Sequence, residues 1–334
     1  MLKKISFLRL LITLPILTLA LTISIGCATE PRNAGTAGEA AANAGTETAQ
    51  PAAEAPQLAL NPEVRHGRLE NGLTYYVQQN SRPEDRVQLR LVVNAGSILE
   101  EEDERGLAHF VEHMAFNGTK NYEKDAIIDY LEKTGMSFGP DINASTSFDQ
   151  TIYKLDLPSG AGISSNQNSS SGPSASGLQR NSIETGVDIL KEWAFNIAFA
   201  PEEVQNEKGV IIEEWRGARG AAARMRDEYL PVLFRNSRYA ERLPIGKMEV
   251  IRSATAEDLR DFYKKWYRPE LMAVIAVGDV DPGEMEQLIK NTFAGSQPAE
   301  RSQSTEQPER PDYSVPPAEG RQFAIATDPE AQRT

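Results

Sequence analysis

A chain of 334 residues with 40% hydrophobic side chains is long enough for one large or two ordinary domains and can bury a substantial core. Its 35 basic and 48 acidic side chains leave a net charge of −13 with no basic stripe, which argues against a nucleic-acid partner. A single cysteine rules out an internal disulfide.

At the N-terminus Lys3, Lys4 and Arg9 precede the apolar run LLITLPILTLALTISIG, residues 10–26, which is the pattern of an export signal. Cys27 follows Gly26 directly, as in the lipobox of bacterial lipoproteins, although Ser24 stands where a Leu-like residue is expected and Ile23 lies one step early. Residues 1–27 are therefore expected to be a signal ending in a lipid-attachment site at Cys27, tying an exported periplasmic or cell-envelope protein to a bacterial membrane. An uncleaved anchor is the alternative, but 17 residues fall short of the roughly 20 that a spanning helix needs.

Residues 28–57, rich in Ala, Gly, Thr, Glu and Pro, bury too little to offset their ordering entropy and read as a flexible tether. Folded sequence is expected from Leu58. GRLENGLTYYVQQN places an Asn71-Gly72 turn between two strand-like runs, and VQLRLVVNAGS alternates as a third strand. Helical periodicity covers Glu104 to Phe116 and Glu123 to Lys133, and β-type residues return at Phe138 to Asn143 and Gln150 to Leu157. Ser159 to Asn181 has scarcely an apolar side chain and is expected to be a loop inserted in the domain. Helices are expected again over Ile183 to Phe199, Pro201 to Arg226 and Ala256 to Trp266, then a buried strand in ELMAVIAVGDV and a closing helix from Pro282 to Phe293. Residues 295–320 look like an interdomain linker, and RQFAIATDPEAQRT, 321–334, opens with a strand-like stretch that reads as the start of a truncated second domain. Hairpin-joined strands with helices clustered elsewhere give an α+β fold class.

The chemistry-bearing stretch is GLAHFVEHMAFNGT, residues 106–119. His109 and His113, one helical turn apart on one face, can converge on one metal ion, and Glu112 beside them can reach a metal-held water without being a ligand. Three protein ligands and one open position are what make zinc-bound water acidic near neutral pH. Two histidines at this spacing are also common on ordinary helices, but the chain has only three histidines, and the third, His66, lies near a predicted turn and is expected to be solvated. A third ligand has to be a carboxylate if Cys27 sits at the membrane. EEVQNEKGVIIEEWRGARG offers Glu202, Glu203, Glu207, Glu213 and Glu214; Glu207 and Glu214 share a face, whereas Glu213 points away from Glu207. A solvated acidic face is the competing reading, weakened by the apolar Val210-Ile211-Ile212 run that is expected to be packed.

These residues resemble the pitrilysin and insulin-degrading enzyme group of zinc peptidases, which includes mitochondrial processing peptidase and whose signature is the inverted H-x-x-E-H. LENGLTYYV, GLAHFVEHMAFNGTKNY, FGPDINASTSFDQTIY, EKGVIIEEWR, LPIG (243–246) and FYKKWYRPELMAVIAVGDVDP look like the family's blocks in order, from about Leu58 to Phe293. The resemblance implies a mostly antiparallel sheet flanked by helices, Zn2+ held by His109, His113 and Glu214, Glu112 as general base, and Glu207 as the acidic residue that orients a histidine from behind. It implies that Asn143 and Ala144 lie on an edge strand to which a peptide substrate adds as a further strand. From His113 to Glu214 is 101 residues, longer than the family's usual gap by about the length of the 159–181 insertion. Closure entropy grows by only about 0.6 kcal/mol per doubling of loop length, so that insertion need not disturb the site. The family pairs homologous domains around the substrate. The expected activity is therefore zinc-dependent endopeptidase cleavage of peptides or unfolded segments, or else zinc and peptide binding by a half-protein that needs a second domain or subunit.

Overall fold

The computed structural model describes residues 59–159, 182–296, 308–318 and 320–331. The expected signal with Cys27, the 28–57 tether, residues 160–181 of the insertion and 297–307 of the linker lie outside the described residues.

Six strands form one sheet: β1 (Arg65–Arg68), β2 (Thr74–Gln79), β3 (Arg86–Val93), β4 (Ile142–Thr146), β5 (Thr151–Pro158) and β6 (Met272–Gly278), in the order β1-β2-β6-β3-β5-β4. The Asn71-Gly72 turn joins β1 and β2 as expected, with Gly72 at φ 95°, a left-handed value that glycine adopts without penalty. All pairs are antiparallel except β2 with β6, which brings Thr74 opposite Ala273.

Alternation decides which face of the sheet is covered. Val87, Leu89, Leu91 and Val93 of β3 stand in register with Leu157, Leu155, Tyr153 and Thr151 of β5, and all eight are buried. Their neighbours Gln88, Arg90, Lys154 and Asp156 point to the other face, where Arg90 and Asp156 form an ion pair at 2.7 Å. Helix α3 (Ser182–Phe195) packs on the apolar face, so closely that a Cβ on Gly186 would lie 2.2 Å from Leu157. Helix α8 (Pro282–Phe293) covers β2, its start capped by Asp281 accepting from the backbone of Gly283 and Glu284. Helix α7 (Ala256–Trp266) begins with a reciprocal capping box between Thr255 and Asp258. Its residue Tyr263 and the nearby Tyr267 join Trp193 and Tyr153 in a buried aromatic cluster, tied by a 2.7 Å hydrogen bond between the Tyr153 and Tyr267 hydroxyls.

Helix α1 (Leu107–Met114) holds the histidine pair, and α2 (Ala126–Lys133) follows it. Leu107, Phe110, Val111 and Met114 recur at i, i+3, i+4 and i+7 and are buried, which turns the His109, Glu112, His113 side away from the core. Eight residues are too few for a helix to persist alone in water, so burial, worth about 1.5–3 kcal/mol per large apolar side chain, holds it in place. α1 packs against α7, β4 and α4 (Pro201–Gly217).

Several expectations are corrected. The single helix over Pro201 to Arg226 is two: α4 stops at Gly217, and α5 (Ala221–Leu233) restarts after Gly220, which is extended at ψ 179°. A short helix α6 (Met248–Ser253), not anticipated, precedes α7 and packs on α4. The strand placed at Phe138 to Asn143 lies at Ile142–Thr146 instead, because Gly139 is left-handed at φ 97° and Pro140 has no N–H to donate. His66 sits on β1 rather than in a loop; it is exposed, opposite Tyr76 and stacked on that ring at 6.2 Å. Within the supposedly packed run only Ile211 is fully buried, while Val210 is 52% exposed. Residues 320–331 form no strand; Phe323 and Ile325 are 82% and 89% exposed, and among the described residues no strand pairs with them. Neither the linker nor the segment after it is free of the domain: Arg310 of the linker donates to the Asn94 carbonyl at 2.8 Å, and Arg224 on α5 holds Asp328 of the 321–334 segment through two bonds. Among the described residues no helix is long and apolar enough to cross a membrane.

Candidate metal centre

His109 and His113 present their Nε2 atoms to each other at 3.1 Å with the rings nearly perpendicular. Glu214 arrives from α4 with Oε2 3.7 Å from His109 Nε2 and 3.4 Å from His113 Nε2. Two imidazole nitrogens that close cannot both donate, so the pair is suited to sharing one proton or one cation. Ligands about 2.0–2.1 Å from a tetrahedral zinc stand roughly 3.3 Å from one another, so the spacing of these three atoms fits the ion without rearrangement. The chemistry of the set, two imidazoles and one carboxylate, suits zinc as well. Among the described residues this is the one group of three or more His, Cys, Asp or Glu side chains able to share a metal.

The remaining carboxylates divide by position. Glu207, two turns before Glu214 on the same face of α4, accepts from His113 Nδ1 at 2.7 Å. Its other oxygen accepts from Asn117 Nδ2 at 2.9 Å, and that amide also donates to the His113 carbonyl. A proton fixed on Nδ1 leaves the Nε2 lone pair for the metal. His109 Nδ1 is buried without a hydrogen-bond partner, so packing alone orients that ring, and its Nε2 end is where it meets a partner. Glu213 points outward and pairs with Arg216, as helical geometry requires.

Glu112, 7% exposed, is held by Thr146: the threonine hydroxyl donates to Oε2 at 2.5 Å and the Thr146 backbone N–H also bonds the carboxylate. Thr146 ends β4 and lies 3.3 Å from the Thr151 hydroxyl, which donates to the Ala95 carbonyl. The carboxylate is thus tied to the sheet through its edge strand. Asn143 and Ala144 lie on that strand, opposite Lys154 and Tyr153. β4 is terminal in the sheet, so one side of its backbone is unpaired within the sheet.

The site's electrostatics separate its members. Burial pushes His109 down to about 4, and the charge of His113 adds to this. Burial also works against a proton on His113, but hydrogen bonds with Glu207 and Glu214 and the nearby Glu112 outweigh it and raise that ring to about 9. Burial lifts Glu112 to about 6, against the pull of the Thr146 hydroxyl. In Glu207 burial is outweighed by the His113 and Asn117 hydrogen bonds, and in Glu214 the His113 hydrogen bond dominates; both carboxyls end below the usual range. The site therefore gathers two firmly ionised carboxylates around the histidines and keeps a third, Glu112, basic enough to accept a proton near neutrality.

Thr146 and Asn117 were not anticipated. Asn117 stands four residues after His113, a helical spacing that points to it. Thr146 has no signal in its own neighbourhood and becomes visible only once β4 is in register.

A histidine pair and a carboxylate from separate helices thus converge beside a buried glutamate and the terminal strand of the sheet. The chain belongs to the insulinase family, peptidase family M16, whose sequence model matches residues 75–242. The model of the family's inactive domain matches residues 253–334, which include α7, β6 and α8 of the same sheet. The chain is 40% identical over 259 residues, 78% of its length, to a probable zinc protease PqqL of Haemophilus influenzae, and 40% identical over 267 residues, 80% of its length, to a PQQL-like zinc protease of Arabidopsis thaliana. Each match takes in 26% of the relative, so the chain spans about a quarter of their length. Among solved structures it is similar to the first half of the periplasmic protease PqqL from Escherichia coli, with a TM-score of 0.65 and 36% identity over 76% of this chain and 51% of that one.

Proposed function

We propose that this chain carries the catalytic domain of an exported zinc-dependent endopeptidase that cleaves peptides or unfolded segments. The observation that carries this reading is the convergence of His109 Nε2, His113 Nε2 and Glu214 Oε2 within 4.8 Å of one another, beside a Glu112 that touches none of them as a ligand would. Zinc held by these three side chains would supply an electrophile able to acidify water at the site. Glu112 takes the water's proton and delivers it to the departing amine. Glu207 keeps the His113 proton on Nδ1 throughout. A substrate backbone pairs with β4 at Asn143 and Ala144, which selects an extended segment with little regard to its side chains.

The purified chain, incubated with an internally quenched peptide, is expected to cleave it, to lose activity to a zinc chelator and to regain it on adding zinc. Cleavage that persists after chelation would remove the metal from the reaction. A second reading, in which the chain binds zinc and peptide but needs a further domain or subunit to turn over, is favoured by the length of the relatives and by the exposed Phe323 and Ile325. Activity of the chain alone counts against that requirement, whereas activity that emerges only on adding a separately made second half supports it.

Export and membrane attachment rest on Lys3, Lys4, Arg9, the apolar run and Cys27. In a bacterial host the chain is expected to incorporate labelled fatty acid and fractionate with the envelope, and Cys27→Ser to do neither. Equal labelling of that variant would place the lipid elsewhere.

A further inference from the structure

We infer that Glu100 is a positioning residue for the hydrolytic reaction: its buried carboxylate fixes the start of the short helix that presents His109, Glu112 and His113. The inference rests on the reading of that helix as the metal-binding and base-bearing element. Glu100 belongs to the acidic run Leu99-Glu100-Glu101-Glu102-Asp103-Glu104, in which Glu101, Glu102 and Asp103 are exposed, yet Glu100 is 0% exposed. Its two oxygens accept from the backbone: Oε2 from Gly106 N and Oε1 from Ala108 N, both at 2.9 Å.

Those donors are among the unpaired N–H groups that begin α1. Gly106, the residue in the capping position, is left-handed at φ 106° and has no side chain with which to satisfy them. Glu100, six residues upstream, takes over that duty with both of its carboxyl oxygens. Burial pushes its carboxyl up to about 8, and the two N–H bonds, followed by Arg242, pull against that.

Glu100 is itself held. Arg242, 4% exposed, donates through Nε to the Glu100 carbonyl at 2.9 Å, and Arg238 donates to the same oxygen. The Arg242 carbonyl accepts from Ser97 Oγ at 2.5 Å. Four residues on, Gly246 presses against the same helix start: a Cβ there would lie 2.3 Å from Gly106 Cα, and Lys247 N donates to the Arg105 carbonyl. This clasp has direct consequences for the site because α1 is two turns long. Ala108, the second backbone group that Glu100 holds, is followed at once by His109. A displacement of the helix start reaches the ligands with no intervening turn to absorb it, and misplacement by about 1 Å can cost about a hundredfold in rate.

Glu100→Gln keeps the shape and turns one acceptor oxygen into an amide group that faces a backbone N–H. In the full chain loaded with cobalt(II), the variant is expected to show an altered visible absorption spectrum, zinc affinity weaker by about tenfold, and kcat lower by about 10–100-fold with KM nearly unchanged. The exposed neighbour Glu101→Gln is expected to match the parent in all three. A variant that melts earlier but keeps the parent's cobalt spectrum and kcat below its melting temperature would make Glu100 a mere stabiliser and overturn the proposal. If Glu100→Gln does not fold, Arg242→Lys reads the same displacement, since it keeps the charge beside Glu100 and removes the Nε–H bond to its carbonyl; a parental spectrum and kcat there would also overturn it. A parent chain that takes up no cobalt would defeat the metal reading itself, an outcome distinct from either variant's behaviour.

Discussion

Glu112→Gln is expected to retain zinc and to lose turnover, kcat falling by about 10²–10⁴-fold, the range that a positioned proton acceptor contributes. The amide oxygen can still accept the Thr146 hydroxyl, so the side chain should stay where the carboxylate was, and Glu112 takes no part in the ligand set. What disappears is a basic carboxylate. Because the sheet edge and the ligands are untouched, KM should move little, which separates a lost proton transfer from lost binding. Parallel measurement of zinc content and of cleavage of a quenched peptide decides the matter; turnover equal to the parent's would sink the assignment of Glu112 as base.

The second large effect is expected at Glu214. Removing its carboxylate in Glu214→Ala leaves two imidazoles, and zinc affinity should fall by more than the roughly 10–100-fold seen when a residue behind a ligand is replaced. Glu207→Gln, which disturbs only the Nδ1 side of His113, should fall within that range. Glu213→Ala should be silent, because its carboxylate points outward to Arg216. Zinc titration of the three variants thus predicts an order, and metal loss in Glu213→Ala alone would shift the ligand by one residue.

Much of this site was legible because one helical period governs it. His109 with His113 and Glu207 with Glu214 are placed by spacing on their own helices, and the ordered motifs connect the two. The residues that hold the site from outside were hidden for different reasons. Glu100 is one glutamate in an acidic run, and nothing in composition says which member turns inward. Thr146 was lost through a strand boundary: with β4 placed at Phe138 to Asn143 it falls outside the strand, whereas in the true register Ile142, Ala144 and Thr146 share a face and the buried Ile142 marks its direction. The α4–α5 break was readable in Gly217 and Gly220 but was overridden by helical residues on both sides. The exposed Val210 shows that an apolar triplet on a helix cannot be packed on every side. The continuous apolar run of β6 announced a buried strand, yet its place in the sheet and its parallel partner depend on contacts no local pattern contains.

That place in the sheet has a consequence for biogenesis. β6 lies between β2 and β3, so the strand that fills the middle of the sheet is the last of the six to be synthesised. At about 5–20 residues per second, the facing edges of β2 and β3 wait on the order of ten seconds or more for it. Arg242 and Gly246, which grip the start of α1, emerge only shortly before β6. A newly made chain therefore carries its histidines and glutamate long before it can aim them.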